Sequence, residues 1–127
     1  MKHILIVTDT DPAIKELATL VAKELHKHKV VVLEGSDFAA TDILPADACF
    51  FGCASARSSA FEELVRVLKG INLAGRPCGL FSTAPGAAVE WLRDISRDSE
   101  LAVHRDALTS ASSSNIASWV DDVLQRS

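Results

Sequence analysis

Apolar residues along this chain fall into short, uninterrupted runs. The first run, HILIV at 3–7, has no alternation with polar residues, which is typical of a strand buried on both faces of a parallel sheet. Runs of the same character predict four more strands, namely KVVVLEG (29–35), DACFFGC (47–53), CGLFS (78–82) and one within ELAVHRDAL (100–108).

Between these runs the apolar residues recur at helical spacing. The first helix is predicted from Pro12 to about His28, with Asp11 as its N-cap. Ser59 and Glu62 have the spacing of a capping box, which predicts the start of a second helix. The remaining predicted elements are the end of that helix at Gly70, helices over 87–95 and 114–124, and a loop with a short turn over 36–46.

Strands that alternate with helices predict an α/β fold. Right-handed crossovers then place helices on both faces of a five-stranded parallel sheet, giving a three-layer sandwich in a single domain over residues 1–127. For five strands and this chain length we expect the strand order 2-1-3-4-5. Ligands of such sheets bind beyond the carboxyl ends of the strands, where the strand order reverses.

Three loops leave the predicted carboxyl ends of the strands nearest that reversal. They cover residues 8–11, 54–58 and 82–88. The candidate binding residues on them are Thr8, Asp9, Thr10, Asp11, Ala54, Ser55, Ala56, Arg57, Ser82, Thr83 and Gly86.

Composition narrows the classes of function. With 127 residues, 48% apolar and 24% charged, the chain is an ordinary globular protein. A net charge of −4 with scattered basic residues predicts no nucleic-acid partner, and no apolar run approaches the ~20 residues of a membrane span. Cys49, Cys53 and Cys78 are odd in number and lie in or beside strand-like runs, which predicts free thiols and a cytoplasmic location.

Several segments resemble short-chain flavodoxins. They are ADACFFGCASARSSAFEELVRVLKGINLAGRPCGLF, WLRDI and SNIASWVDDVL, and the similarity extends over nearly the whole chain. The resemblance implies the flavodoxin-like fold, FMN as cofactor, electron transfer as activity and a redox protein as partner.

The phosphate loop departs from that family. Flavodoxins carry Thr-Gly-Asn-Thr where this chain has Asp11-Pro12-Ala13-Ile14. Pro12 lacks a backbone donor, Ile14 lacks a hydroxyl, and Asp11 offers its own carboxylate to the helix N-terminus. These replacements predict that FMN binding is weak or absent.

The groups that would meet a flavin ring are also changed. Neither CASARSS nor STAPGAA contains an aromatic residue, and Trp91 is predicted to pack within its helix rather than to reach the loops. Arg57 is the only evident cation that could activate Cys53, so the thiol is predicted to be a small buried residue rather than a reactive group.

A second family has a similar opening. ILIVTDTDPAIKELATLVAKEL resembles the start of a response-regulator receiver domain, and Thr83-Ala84 resembles the receiver Thr/Ser-Ala pair. Receiver chemistry needs an acceptor aspartate where this chain has Gly52-Cys53, and a lysine after the fifth strand that this chain lacks. We therefore do not expect aspartyl phosphorylation.

Two hypotheses about function remain. In the first, the chain is a flavodoxin-family domain with an eroded FMN site that acts as a non-catalytic binding, regulatory or subunit-type module with a redox or regulatory protein partner. In the second, it is an FMN-binding electron carrier with weak or atypical flavin binding. Neither is a substrate-converting enzyme.

Overall fold

A five-stranded parallel sheet runs through the middle of the molecule in the order β2-β1-β3-β4-β5. The computed structural model describes residues 2–125, apart from the side chains of 111–113. The strands are β1 (His3–Thr8), β2 (Lys29–Glu34), β3 (Ala48–Gly52), β4 (Pro77–Phe81) and β5 (Ala102–Val103). The predicted fold class and strand order are confirmed.

Helices cover both faces of this sheet. They are α1 (Pro12–Glu24), α2 (Ala40–Ile43), α3 (Glu62–Gly70), α4 (Ala87–Arg97) and α5 (Ile116–Leu124), with 3-10 turns at Gly35–Asp37, Ser59–Phe61 and Ser110–Asn115. One apolar layer joins the sheet to α1 and α5, and a second layer joins it to α2, α3 and α4. Ile4 and Ile6 belong to the first layer and Leu5 and Val7 to the second, which explains why the run is apolar throughout.

The helix predicted over 87–95 extends to Arg97, and the one predicted over 114–124 begins at Ile116. Two further predicted helix boundaries are wrong. The first helix ends at Glu24 instead of about His28, because the Leu25 N–H turns back to the Ala22 carbonyl over 3.0 Å. The second begins at Glu62, after a 3-10 turn, and Ser59 forms no capping box there. Both errors arise because apolar spacing continues through a turn that local hydrogen bonds have already closed.

The strand register brings the predicted loops to one edge of the sheet. Thr8 is the register partner of Gly52, and Gly52 is the register partner of Phe81. The Phe81 ring lies against Gly52 so closely that a Cβ on this glycine would overlap it. The chain therefore leaves β1, β3 and β4 at the same level, and its next residues face one another.

Candidate functional site

The three predicted loops meet and are tied together by hydrogen bonds. The Asp9 N–H donates to the Gly52 carbonyl over 3.2 Å, joining the first loop to the end of β3. The Ser82 hydroxyl, which is buried, donates to the Cys53 carbonyl over 2.8 Å, joining the third loop to the second. These hydrogen bonds join the three loops of the crevice above β1, β3 and β4 into one continuous surface.

Asp9 lies between the first two loops, with only 5% of its surface exposed. Its Oδ1 accepts the Asp11 N–H over 3.1 Å, and its Oδ2 accepts the Ala54 N–H over 2.8 Å. Within residues 2–125 Asp9 has no ion-pair partner, so these two backbone donors are what satisfies its buried carboxylate.

Asp11 occupies the N-terminus of α1. Its Oδ1 accepts the Ala13 N–H over 2.9 Å and the Ile14 N–H over 3.3 Å, as predicted for an N-cap. Pro12 is the first helical residue and has no N–H to offer. The free donors of this first turn are thus engaged by a side chain of the protein itself.

The two threonines of the first loop have different surroundings. Thr8 is the last residue of β1 and is buried, whereas Thr10 is exposed. Of the hydroxyls predicted to line this loop, the Thr10 hydroxyl is the one at the surface.

The second and third loops present small side chains. Ser55 is exposed, Ala54, Ala56 and Thr83 are partly buried, and Arg57 is the one long side chain, which is exposed. Neither loop contains an aromatic residue. Arg57 adopts a left-handed backbone with a φ of 58°, which is uncommon for a residue with a Cβ. Gly86, with a φ of 125°, occupies a conformation that glycine adopts without strain.

Trp91 combines two roles of which the sequence analysis favoured one. Its ring packs against Phe61, with centroids 5.9 Å apart, which confirms the packing role. The same half-buried ring also lines an open groove of about 320 Å³ with Arg57, beside the second loop. The remaining lining residues are Ser58, Ser59, Glu62 and Val65. Nothing local in the sequence indicates that residues 34 positions apart share this groove.

Cys53 is buried and unreactive in character. Burial, and then the negative charge of Asp9, raise the pKa of its thiol to about 12. The prediction of a small buried residue is confirmed, and the idea that Arg57 could lower this pKa is wrong. Cys49 and Cys78 are likewise free and buried.

Metal-binding clusters are absent from the described residues. These residues contain no group of three or more His, Cys, Asp or Glu side chains placed to hold a metal ion. Among those same residues, no helix has the length and apolar character needed to cross a membrane.

Sequence comparisons give no relative for this chain. No protein-family profile matches it. No curated protein matches it either.

Solved structures, in contrast, resemble it over almost its full length. A short-chain flavodoxin associated with a non-canonical PDU bacterial microcompartment has a TM-score of 0.85 at 15% identity, with 98% of each chain covered. Oxidised flavodoxin 2 from Bacillus cereus has a TM-score of 0.81 at 18% identity, covering 98% of this chain and 99% of its own. A Fusobacterium nucleatum flavodoxin variant bound to flavin mononucleotide has a TM-score of 0.76 at 14% identity, with 95% and 94% covered. At these identities the likeness concerns architecture, and the chain has the flavodoxin fold.

Proposed function

We propose that this chain is a flavodoxin-fold domain that does not hold the phosphate of FMN in its first loop and that acts as a protein-binding module, with a regulatory or subunit role, in the cytoplasm. The flavodoxin fold makes FMN the cofactor to test first, and one structural neighbour is bound to it.

The engaged carboxylates of the first loop are the observation on which the proposal rests. A phosphate at a helix N-terminus is held by free N–H groups. Here Asp11 caps Ala13 and Ile14, Pro12 has no N–H, and Asp9 holds the Asp11 N–H. A phosphate placed ~4 Å from either carboxylate would be repelled by roughly 1–4 kcal/mol per charge pair. These residues do not fit the phosphate.

The second and third loops also lack the groups that would hold a flavin ring. No aromatic side chain lies on residues 54–58 or 82–86. The Ser82 hydroxyl is buried and donates to Cys53, so it is not free to reach a ligand. Without ring stacking, the ~0.5–1.5 kcal/mol that an aromatic pair contributes beyond burial is also missing.

A protein partner fits the surface that is present. Within the described residues the guanidinium of Arg57 has no ion-pair partner, and Arg57 lines the same groove as the half-buried Trp91. Arginine and tryptophan are enriched at the energetic centres of protein interfaces. We expect the partner to place a carboxylate on Arg57 and an apolar side chain on Trp91.

A second candidate is an FMN-dependent electron carrier with weak, atypical binding. It is favoured by the near full-length structural likeness to flavodoxins. It is also favoured by the exposed loop residues Thr10, Ser55 and Gly86, which a planar ligand could reach. In that case the ring would be held without a well-bound phosphate.

An FMN titration tests the proposal. The purified wild type should be colourless and should leave flavin fluorescence unquenched at low micromolar FMN. Asp11→Thr combined with Pro12→Gly removes one carboxylate and restores one N–H, so it should raise FMN affinity by about tenfold or more. Asp98→Thr, an exposed acid after α4, removes the same charge elsewhere and should change nothing. Stoichiometric quenching by the wild type would overturn the proposal, and an unimproved double variant would show that the first loop is not the main obstacle.

Partner capture tests the binding role. The wild-type chain should retain a protein from cells that express it, and Arg57→Glu should release that protein. Arg97→Glu makes an equal charge change at an exposed position at the end of α4. It is the matched control and should retain the partner. Equal retention by both variants would show that the groove at Arg57 is not the contact.

A further inference from the structure

The outer edge of the sheet at β2 is unpaired. The Lys29 N–H donates to the Lys2 carbonyl over 2.9 Å, so Lys29 directs its backbone toward the β1 side. Because successive residues of a strand direct their backbone groups to opposite sides, Val30, Val32 and Glu34 direct theirs outward. No described strand lies on that side.

This edge also carries exposed apolar side chains. Val31 (44%) and Val32 (47%) are two of the four large hydrophobic residues that are exposed in the part of the chain that the structure describes. Helix α2 is a single turn, and the segment after it lines a shallow groove with Val31. The strand has no proline, and only its ends are charged, so it lacks the usual protection of an edge against pairing.

We propose that a second copy of this chain pairs with β2 in an antiparallel manner, so that one sheet runs through both copies. Only a two-fold axis perpendicular to the sheet reverses the strand and also closes the assembly. Such an axis keeps each side chain on the same face of the sheet in both copies. A residue can therefore pair only with a residue of the second copy whose number differs from its own by zero or by an even number. Val31 then faces Val31 of the second copy, Val30 faces Val32, and His28 faces Glu34.

A hydrogen bond between the two copies favours this register. In the permitted register centred on Val32, Glu34 would face Val30 and gain no hydrogen-bond donor. In the one centred on Val30, it would face position 26, which lies in the turn before β2 begins at Lys29. In the proposed register it faces His28. The His28 Nδ1 accepts the Lys2 N–H over 3.2 Å, so the neutral ring carries its proton on Nε2, where it can be donated to Glu34 of the second copy. Because the axis is two-fold, this contact forms twice.

The composition of the surface suits a dimer interface. The valines form an apolar centre, Pro45 borders the groove at Val31 on one side, and Glu34 with its ion-pair partner Lys15 forms part of a polar rim. A specific dimer needs about 800 Å² buried per copy, more than strand pairing alone supplies, so the segment at Pro45, which lines the groove with Val31, must join the contact. The crevice loops leave the ends of β1, β3 and β4, and the proposed interface does not use them.

Molar mass in solution tests the interface. Light scattering coupled to size exclusion should give twice the chain mass of 13.6 kDa for the wild type at about 100 µM. Val31→Lys places two ammonium groups face to face and should weaken the dimer by about tenfold or more. Leu20→Lys is the matched control, since Leu20 is 37% exposed but lies on α1, and it should remain dimeric. A monomeric wild type, or equal behaviour of the two variants, would overturn the proposal.

Mixing two variants tests the register itself. Val31→Lys and Val31→Glu should each be monomeric, and their mixture should recover the dimer because position 31 faces position 31. Circular dichroism checks that each variant folds, which we expect because Val31 is a half-exposed side chain at an edge. A mixture that stays monomeric while both variants are folded would refute this register.

Discussion

Replacing Asp9 by asparagine probes the contact that joins the first loop to the second. The Asp9 carboxylate accepts the N–H groups of Asp11 and Ala54 on separate oxygens. An asparagine has one carbonyl oxygen and one NH₂ group, so it can accept only one of these N–H groups and must turn a donor toward the other. Asp9→Asn therefore removes one hydrogen bond and leaves a partly buried donor unmatched.

The expected loss of stability follows from these contacts. A hydrogen bond to a charged group contributes about 1.5–3 kcal/mol, and an unmatched buried donor costs a similar amount. Neutralising a carboxylate that is only 5% exposed relieves part of its desolvation, which acts in the opposite direction. We therefore expect Asp9→Asn to lower the free energy of unfolding by about 2 kcal/mol.

Urea unfolding followed by circular dichroism measures this change. With an m-value of about 2 kcal/mol/M, the midpoint should fall by about 1 M. Asp98→Asn removes an exposed acid from the end of α4 and should stay within about 0.5 kcal/mol of the wild type. If Asp9→Asn is as stable as that control, the Asp9 carboxylate does not bridge the loops and the account of the crevice is wrong.

Three further measurements test the packing, the thiol and the helix cap. Gly79→Ala should destabilise the fold by about 1–3 kcal/mol, since the added Cβ would lie 2.8 Å from one aromatic ring and 2.9 Å from another. Gly70→Ala is the control and should be neutral, because nothing lies within 4 Å of its added Cβ. Equal urea midpoints for the two variants would contradict this packing. At pH 8 a thiol pKa of about 12 gives Cys53 a thiolate fraction about a thousandfold below that of a free cysteine. Iodoacetamide should therefore label Cys53 only after unfolding, and rapid labelling of the folded chain would refute its burial. Asp11→Ala should lower the free energy of unfolding by about 1 kcal/mol through loss of the α1 cap, and an unchanged urea midpoint would argue against the cap.

The fold could be predicted from the sequence because each of its strands and helices has a local pattern of apolar residues. Each apolar run is one strand, and the uninterrupted runs at β1, β3 and β4 reflect burial on both faces. The N-cap at Asp11 was also predictable, since an aspartate before a proline and a helical pattern acts within its own turn. The end of α1 was missed because Leu25 is buried like a helical residue although it lies in the following turn.

The candidate site was only partly accessible to such reasoning. Its loops follow from the strand ends, but the bond from Asp9 to Ala54 joins residues 45 positions apart. An aspartate in a polar loop looks exposed in the sequence, and only the packed sheet shows that it is buried. The groove shared by Arg57 and Trp91 is of the same kind, since it depends on how α4 lies beside the second loop.

The affinities of FMN and riboflavin, measured side by side on the wild-type chain, test the central claim most directly. The two ligands share the flavin ring and differ in the phosphate. If the carboxylates of Asp9 and Asp11 occupy the place of that phosphate, FMN will bind no more tightly than riboflavin, and added salt will favour FMN by screening the repulsion. An FMN affinity more than about tenfold above that of riboflavin, which corresponds to ~1.4 kcal/mol gained from the phosphate, would contradict the account.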